Sequence, residues 1–370
     1  MASSLRVAVV HYHLKKGGVT RVIENTAEGF EASDHDVTFA VLAGPPVESD
    51  ALRRTREIDD LGYTDSESNV DAESVAKTLT REARAALGAE PDLWHVHNHS
   101  LGKNRAMPEI VNRLARSGTP VLLHIHDFAE DGRPENYTVI RSSSESAASL
   151  YPIAPHIGYA VLNARDYAIL SGAGVPDASL FSLPNSVPAP ESIHGEDTGT
   201  RDAIHATLPG SARVAKDARL YLYPVRATRR KNFGEFLFWS AVAKIGGAHR
   251  FFGNTLGPTN PNFEASYRQW AHFSRDRGLP ATLGFGEKID ASFPEIVGAA
   301  EALMTTSVAE GFGLAFLEPW AFGKALVGRD IQDVTDDFAE KDVGLESLYG
   351  RLNVPLAWIG GMKALRPELE

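Results

Sequence analysis

The stretch Ala302-Leu-Met-Thr-Thr-Ser-Val-Ala-Glu-Gly-Phe-Gly-Leu-Ala-Phe-Leu-Glu318 contains a strand pattern, a glycine turn and a helix pattern in succession. The apolar run 302–306 predicts a buried strand, and the helix-favouring run 314–322 predicts a helix. Gly311 and Gly313 allow a tight turn between them and a close approach of the backbone to a ligand. Strand, turn and helix in this order are the repeating unit of an α/β sheet. The stretch therefore predicts an α/β fold.

Two carboxylates bracket this turn: Glu310 lies just before it, and Glu318 lies inside the predicted helix. The start of a helix offers unpaired N–H groups and a positive dipole end to an anion, and carboxylates accept hydrogen bonds from hydroxyls. A diphosphate flanked by hydroxyl-bearing sugars would suit this arrangement. The alternative is a glycine turn that caps an ordinary core helix whose glutamates are solvated.

The composition limits the class of protein. A chain of 370 residues exceeds the size at which one hydrophobic core keeps growing, so we expect two domains. The net charge of -11 argues against binding to nucleic acid through a positive surface field. The sequence has no cysteine, which excludes disulfides and thiolate metal sites and fits a reducing compartment. Without a signal-peptide pattern or a long apolar run, we expect a cytoplasmic protein with no integral membrane segment.

Strand patterns alternate with helix patterns through both halves of the chain, which predicts two doubly wound parallel sheets with a cleft between them. In the first half the predicted strands are 6–10, 36–42, 93–96, 121–125 and 158–162, and the helices are 20–30, 72–87 and 106–117. In the second half the predicted strands are 220–225, 249–252, 281–285 and 302–306, and the helices are 234–245, 262–277, 294–300 and 314–322.

A change in composition after residue 188 divides these two series. Residues 189–217 are rich in Pro, Gly, Ser, Thr and charge, and we assign them to an interdomain region with a short helix at 201–206. The first domain is then 1–188 and the second is 218–345. The remaining segment, 346–370, could cross back to the first domain.

The segment after the first strand, His11-Tyr-His-Leu-Lys-Lys-Gly-Gly-Val-Thr20, carries the adjacent glycines Gly17 and Gly18. They precede a helix whose start would point at the cleft, with Thr20 as its cap. The pattern Gly-x-Gly-x-x-Gly is absent, so this is not the dinucleotide fingerprint. A basic turn that only caps the helix is the alternative.

Histidines collect at the ends of two predicted strands. Alternation places His95, His97 and His99 on one strand face, where they could offer a zinc site. We favour instead a strand end that orients one or two histidines into a cleft, with no metal. His126 ends the fourth predicted strand and could exchange a proton near neutral pH. A buried ring with satisfied hydrogen bonds is its alternative.

A basic cluster, Arg226-Ala-Thr-Arg-Arg-Lys231, follows the strand that opens the second domain. A turn can bring Arg226 and Lys231 onto one ligand, where arginine holds a phosphate with two parallel hydrogen bonds and lysine adds a point charge. A solvated basic loop is the alternative.

Together these motifs resemble the retaining glycosyltransferases of the GT-B fold, in particular the group-1 family, glycosyltransferase family 4. The resemblance follows the family's order from about residue 6 to residue 330. Its points are the Gly17-Gly18 loop, His126 in His-Asp-Phe, Leu183-Pro-Asn-Ser-Val187, Arg226 with Lys231, and Glu310 with Glu318.

The resemblance implies two Rossmann-like domains with parallel sheets facing a central cleft, and a nucleotide-diphosphate-sugar donor held mainly by the second domain. Arg226 and Lys231 would neutralise the diphosphate. Glu318 would bind the ribose hydroxyls, and Glu310 would contact the donor sugar as a catalytic residue. The main-chain groups that would meet the phosphates belong to Gly311, Phe312, Gly313 and Leu314.

On the side of the first domain, the resemblance implies that His126 acts as a catalytic residue near the sugar and the acceptor hydroxyl. The acceptor would lie near Gly17, Gly18 and His97. The family transfers a sugar with retention at the anomeric carbon and needs no metal or other cofactor. An acceptor of unknown identity is then the second partner.

Three features depart from the family's pattern. Val225 stands where a glycine is usual, Gly323-Lys-Ala325 replaces a Gly-x-Pro step, and Arg329-Asp-Ile-Gln-Asp333 replaces a Gly-Gly-x-x-Glu loop. That loop normally touches the donor. A sugar-nucleotide-binding protein of the same fold without turnover is therefore the alternative to a glycosyltransferase.

Overall fold

The structure is a computed structural model that describes residues 4–64, 70–131, 133–143, 147–187, 197–259, 261–361 and 363. The chain divides into two compact units, Met1–Pro188 and Ala189–Glu370, called here the first and the second unit. Residue 188 of the predicted first domain, residues 189–196 of the predicted interdomain region, and residues 362 and 364–370 of the C-terminal segment lie outside the described residues.

The first unit alternates strands and helices. Its strands are β1 (Leu5–His11), β2 (Val37–Ala43), β3 (Thr55–Glu57), β4 (Leu93–His97), β5 (Val121–Ile125), β6 (Ile157–Val161) and β7 (Leu180–Ser182). Its helices are α1 (Gly18–Ala32), α2 (Ala72–Leu87), α3 (Met107–Ala115), α4 (Pro134–Ser143), α5 (Ala147–Leu150) and α6 (Ala164–Gly172). Over the described residues the strands form one parallel sheet in the order β3-β2-β1-β4-β5-β6-β7.

The second unit repeats this plan. Its helices are α7 (Thr198–Ala206), α8 (Phe233–Ile245), α9 (Pro261–Asp276), α10 (Phe293–Gly298), α11 (Leu314–Ala321) and α12 (Gln332–Ala339). Its strands are β8 (Arg219–Arg226), β9 (Arg250–Leu256), β10 (Ala281–Leu283), β11 (Ala302–Thr305), β12 (Ala325–Arg329) and β13 (Leu348–Tyr349). The described strands form a parallel sheet in the order β10-β9-β8-β11-β12-β13.

Strand β1 shows why the sheet needs helices on both faces. Val7 and Val9 pack in one buried cluster, while Ala8 and Val10 pack in another. Successive side chains of a strand point to opposite faces, so an apolar run buries both faces at once. The prediction of two doubly wound parallel-sheet domains is confirmed.

Local signals fix several helix ends. The Asp71 side chain accepts from the Glu73 N–H at 3.1 Å at the start of α2, and Gly88 ends this helix with a φ of 77°. Ser292 and Glu295 form a capping box at the start of α10. These are the residue types that satisfy the unpaired backbone groups of helix ends. Among the described residues, no helix is both long enough and apolar enough to cross a bilayer.

Several predicted elements differ from the observed ones. Strand β9 continues to Leu256, four residues beyond its predicted end, whereas β10 stops at Leu283. Gly284, with a φ of 62°, breaks β10 and starts a 3-10 turn. The sequence reading did not predict β12 and α12, which occupy Ala325–Arg329 and Gln332–Ala339.

Gly328 occupies a position in the second sheet where a side chain does not fit. It pairs with Thr305 across β11 and β12 and has a φ of 129°. A Cβ atom built there would overlap the Thr305 carbonyl oxygen. We expect Gly328→Ala to destabilise the chain by about 2–4 kcal/mol, because backbone strain and a steric clash combine.

Urea unfolding followed by circular dichroism measures this effect. Gly210→Ala is the matched control, because open space surrounds Gly210. Equal midpoints for the two variants would contradict the role assigned to Gly328.

Candidate functional site

The predicted donor residues of the second unit lie at the carboxyl ends of two adjacent strands. Arg226 is the last residue of β8, and Lys231 ends the 3-10 helix Arg229–Lys231 that follows it. Glu310 lies in the loop between β11 and α11, and Glu318 lies inside α11. Because β8 and β11 are neighbours, both loops emerge at one edge of the sheet, where α/β folds bind ligands.

Lys231 and Glu310 form a buried ion pair at this edge. The Lys231 ammonium contacts the Glu310 carboxylate, whose side chain is 7% exposed. The Arg230 guanidinium lies 3.6 Å from the second oxygen of the same carboxylate. Burial alone would raise the pKa of Glu310, but Lys231 and Arg230 outweigh burial and lower it. Glu310 is therefore ionised at neutral pH.

A hydrogen-bond network joins the two loops that carry this pair. The Tyr223 hydroxyl, on β8, lies 2.8 Å from Ser307 Oγ, and the Thr306 hydroxyl donates to the Lys231 carbonyl at 2.9 Å. The Val308 N–H donates to the Arg230 carbonyl at 2.9 Å. The pair is thus held before any ligand arrives. Sequence reasoning did not assign Tyr223 or Ser307, although a tyrosine within an apolar strand is a signal for such a contact.

Gly313 forms the turn that begins α11. It has a φ of 86°, and a Cβ atom there would lie 2.6 Å from Val334 Cγ1 and 2.8 Å from the Phe316 ring. Only glycine fits both the conformation and the space. Phe312 is buried with its ring edge on Phe338, at 5.4 Å between centroids. Leu314 is the first residue of the helix, as predicted.

The structure brings together some of the predicted donor residues but not all. Glu318 lies close enough to Lys231 to raise the pKa of its ammonium, although burial, the largest effect, lowers that pKa. Arg226 instead donates to the Gly257 carbonyl at 3.5 Å. Arg230, which sequence reasoning noted only as part of a basic cluster, is the second cation on Glu310.

The segment predicted as an altered loop, 329–333, is a strand end joined to a helix. Arg329 ends β12, and α12 begins at Gln332. The Arg329 guanidinium forms an ion pair with Glu235, whose carboxylate also accepts from the Tyr349 hydroxyl at 2.6 Å. This segment therefore pairs within the second unit.

At the start of α1 the glycines lie as predicted, but the predicted cap is wrong. Gly17 is the N-cap residue in an extended conformation, and Gly18 is the first helical residue. Thr20 lies inside the helix, and its hydroxyl donates back to the Lys15 carbonyl at 2.6 Å. Two flexible glycines ahead of it let the helix begin earlier than the threonine.

The histidines form a buried cluster at the carboxyl ends of β4 and β5. His95 Nε2 lies 3.1 Å from His124 Nδ1, and His97 Nδ1 lies 2.8 Å from His126 Nε2. The rings of His97 and His126 are stacked, with 5.1 Å between their centroids. His126 follows the last residue of β5, Ile125.

The expected grouping of His95, His97 and His99 is wrong with respect to His99. Asn98 has a φ of 54°, which ends the strand alternation, and the His99 ring donates from Nε2 to the Leu150 carbonyl at 2.7 Å. The Asn98 side chain accepts from the His126 N–H at 2.7 Å, so this unassigned residue orders the end of β5.

Burial keeps these histidines neutral at pH 7. Desolvation lowers the pKa of His95 and His99 to about 4, and that of His11 and His124 to about 3. The pKa values of His97 and His126 also lie well below the usual value, again through burial. Neutral imidazoles can bind metals, and one ring nitrogen from each of His95, His97 and His124 lies within 4.8 Å of the others. These three are the residues of the described chain that could hold a metal ion.

The cluster predicts a loss of stability in mild acid. A histidine whose folded pKa is lowered stabilises the fold fully above its unfolded pKa, near 6.5, and this contribution falls with pH because only the unfolded chain takes up the proton. At pH 5 each such histidine should cost up to about 2 kcal/mol.

Hydrogen exchange of peptides from β4 and β5, in the presence of EDTA, should show faster opening at pH 5 than at pH 7 after correction for intrinsic rates. Replacing one hydrogen-bonded pair, in His95→Leu/His124→Leu, should weaken this pH dependence. His35→Asn, at an exposed position, is the control. An unchanged pH dependence in the double variant would contradict the prediction.

The Lys231 and Glu310 pair predicts strong energetic coupling. Lys231→Met leaves the Glu310 charge buried beside a more distant guanidinium, and we expect it to cost about 3 kcal/mol. Adding Glu310→Gln removes the uncompensated charge, so the double variant should be less destabilised than the sum of the single ones.

A double-mutant cycle from urea unfolding by tryptophan fluorescence measures this coupling, because most of the tryptophans lie in the second unit, at Trp239, Trp270, Trp320 and Trp358. The exposed pair Arg268 and Glu264 on α9 is the control and should couple by less than about 0.5 kcal/mol. Additive effects at Lys231 and Glu310 would refute the buried pair.

Comparison with known proteins identifies the class of this chain. A family model described as "Glycosyl transferase 4-like domain" matches residues 17–156. The mannosylglucosyl-3-phosphoglycerate synthase of Petrotoga mobilis is 29% identical over 369 residues, which cover 94% of this chain and 69% of that protein.

Two solved structures show the same fold at low identity. The catalytic domain of starch synthase IV from Arabidopsis thaliana has a TM-score of 0.54 and 12% identity, and the match covers 94% of this chain and 88% of that one. Sucrose-phosphate synthase from Thermosynechococcus elongatus has a TM-score of 0.54 and 15% identity, with 88% and 82% covered. These matches confirm the resemblance in fold and in enzyme class: the chain is a glycosyltransferase of the GT-B fold, and its residues 17–156 match the glycosyl transferase 4-like domain.

Proposed function

We propose that this glycosyltransferase moves a sugar from a nucleoside-diphosphate sugar to an acceptor hydroxyl, and that the second unit holds the donor. The observation that carries the proposal is the buried pair of Lys231 and Glu310, with Arg230 beside it, at the turn that begins α11. Fixed cations next to a helix start are suited to a diphosphate. The starch synthase IV structure is bound to ADP, so this fold accommodates a nucleoside diphosphate.

The chemistry of sugar transfer explains why the cations should be fixed. As the bond to the diphosphate breaks, the leaving group gains negative charge and the sugar becomes oxocarbenium-like. Cations held in place by Glu310 and by the loop hydrogen bonds need no reorganisation at that moment, which favours the transition state over the ground state. They also supply charge stabilisation that a metal would otherwise provide, so we propose a metal-independent reaction.

The two glutamates would have different tasks. Glu310 is ionised and held by its ion pair with Lys231, so it can accept hydrogen bonds from sugar hydroxyls and stabilise positive charge on the ring. Glu318, in α11, would bind the ribose hydroxyls, as the family resemblance implies. Arg226 and Lys231 would neutralise the diphosphate, together with main-chain groups from Gly311 to Leu314.

In the first unit, we propose that His126 is a catalytic residue near the acceptor hydroxyl, with Gly17, Gly18 and His97 on the acceptor side. The neutral imidazole is the form that accepts a hydrogen bond from a hydroxyl. Retention at the anomeric carbon is part of the proposal through the family resemblance. So is a cytoplasmic location without a nucleic-acid partner, which the absence of cysteine and the net charge of -11 support.

The name of the Petrotoga relative guides the choice of substrates. Its product joins a mannosyl group to glucosyl-3-phosphoglycerate. We therefore propose hexosyl transfer, and we would test GDP-mannose, UDP-glucose and ADP-glucose as donors, with glucosyl-3-phosphoglycerate among the acceptors.

The test is release of nucleoside diphosphate by the purified chain, with the anomeric configuration of the product read by NMR. Glu310→Gln should lower kcat by about a hundredfold or more, because it removes charge stabilisation from the transition state. Glu264→Gln, on the exposed face of α9, is the matched control and should keep full activity.

Other outcomes would overturn parts of the proposal. If the wild type binds donors but releases no diphosphate with any acceptor, it is a sugar-nucleotide-binding protein. Strong inhibition by EDTA would refute metal independence and direct attention to His95, His97 and His124. An inverted product would refute retention.

A further inference from the structure

Outside the donor residues, the first unit carries a cluster of cations around one exposed aromatic ring. The Lys103 ammonium lies 5.3 Å from the centroid of the Tyr63 ring, and the Tyr63 side chain is 53% exposed. The His13 ring packs edge-on against the same tyrosine, with 4.9 Å between centroids. We call Lys103, Tyr63, His13 and Arg133 the Tyr63 cluster.

Lys103 is the unusual member of the Tyr63 cluster. Its side chain is partly buried, yet no described residue pairs with its ammonium in a salt bridge or hydrogen bond. Burial, and then the nearby Arg133 guanidinium, lower the pKa of Lys103, and the exposed Glu135 offsets this only in part. A partly desolvated cation beside a second cation is costly unless an anion joins them.

Carboxylates also lie near the cluster: Asp127 beside Arg133, Glu135 near Lys103 and Glu48 near His13. Arg133 forms an ion pair with Asp127 at 2.9 Å, and this pair adjoins His126 in the chain. Lys15, which acts on the neighbouring His13, adds a further positive charge. The site therefore combines a guanidinium, two ammonium groups and an aromatic face, in a chain whose net charge is -11.

Hydrogen bonds join the two loops that carry Tyr63 and Lys103. The Thr64 N–H donates to the Lys103 carbonyl at 2.9 Å, and the Thr64 hydroxyl accepts from the Arg105 N–H at 3.1 Å. Gly102, with a φ of 74°, lies so close to Asn136 that a Cβ atom would overlap the Asn136 carbonyl oxygen. A site fixed in this way loses little conformational freedom when it binds a ligand.

The location of the cluster points to its role. His13 follows β1, Lys103 follows β4 and Arg133 follows β5, so their loops leave the sheet at its carboxyl edge. The connections from β1 and β4 lead to opposite sides of the sheet, and ligands of such folds bind at this switch point. His97 ends β4, and His126 directly follows β5.

We propose that the Tyr63 cluster binds an anionic group, a phosphate or carboxylate, of the acceptor, and so selects phosphorylated acceptors. Lys103 and Arg133 would contact the anion, and Tyr63 would cover the face of the acceptor's sugar or polyol part. This inference rests on the proposed function, because it assigns the acceptor of that reaction. The phosphoglycerate in the name of the Petrotoga relative's product is an acceptor fragment with this chemistry.

Calorimetry on the full chain tests the site without turnover. The probes are 3-phosphoglycerate and glucose 6-phosphate, with glycerate and glucose as their counterparts without phosphate. We expect the wild type to bind the phosphorylated probes at least tenfold more tightly than their counterparts, and Lys103→Met to lose that preference. Lys103→Arg keeps the charge and should retain most of it.

Controls separate this site from the donor residues and from general charge effects. Lys77→Met, on the exposed face of α2, should bind both phosphorylated probes as the wild type does. Lys231→Met should also bind them as the wild type does, whereas its affinity for GDP and ADP should fall. In transfer assays, Lys103→Met should raise KM for a phosphorylated acceptor more than it lowers kcat.

Different results would contradict the acceptor site and the proposed function. If neither phosphorylated probe binds the wild type more tightly than Lys103→Met, the acceptor site is refuted. If Lys103→Met loses GDP or ADP binding and keeps the phosphorylated probes, the cluster serves the donor diphosphate instead, which also refutes the acceptor assignment. A wild type that transfers no sugar would refute the proposed function and leave these binding constants unaffected.

Discussion

The contact between Lys231 and Glu310 is the interaction on which the candidate donor residues depend. Two opposite charges out of water cost several kcal/mol of desolvation each, and their attraction offsets this cost only where the geometry is held. In the second unit the geometry is held by Tyr223, Thr306 and the main chain of Val308, which join the loops after β8 and β11. The adjacency of those two strands is therefore a condition for the pair, and the doubly wound order provides it.

The first unit meets the same problem of buried polar groups in another way. Its sheet also ends in a polar cluster, but the members are histidines that burial keeps neutral. Neutral rings of His95, His97, His124 and His126 pair with one another, so no opposite charge is needed. The two units thus place ionised groups in one site and neutral hydrogen-bonding groups in the other. Charge suits a leaving diphosphate, and neutral donors and acceptors suit hydroxyls.

How far the sequence could predict these features depends on the range of the interactions. Apolar runs and helix periodicity are local, so α2 and β5 agree with prediction at both ends. The short strand β13 could not be found in this way, because its two residues form a strand only through pairing with β12. His99 was misplaced because one left-handed residue, Asn98, interrupts the alternation. The glycosyltransferase class was predictable because its residues recur at characteristic places along the chain.

Prediction of the candidate site residues was limited in the same way, because their contacts depend on geometry beyond the local sequence. Sequence order could bring the cluster around Lys231 near Glu310, since each follows a predicted strand of one sheet. It could not tell which cation would contact the carboxylate, because Arg229, Arg230 and Lys231 are three successive positive charges in one short turn. The 3-10 turn decides this: it directs Lys231 inward, where it is 9% exposed, and Arg230 to the second oxygen. Rotation along a short turn is a geometric property that residue types alone do not specify.

The segment beyond Glu318 departs from the pattern of the resembling family, and the structure indicates what the departure does. Arg329 brings a positive charge into this part of the fold, but Glu235 neutralises it, and Tyr349 fixes the same carboxylate. The charge of Arg329 is therefore balanced within the second unit, and the segment also carries Asp330 and Asp333. The segment also packs against the glycine turn, because Val334 of α12 lies in the space that a side chain at Gly313 would need. Through this packing the segment helps to set the position of the turn, and hence that of the main-chain groups that begin α11.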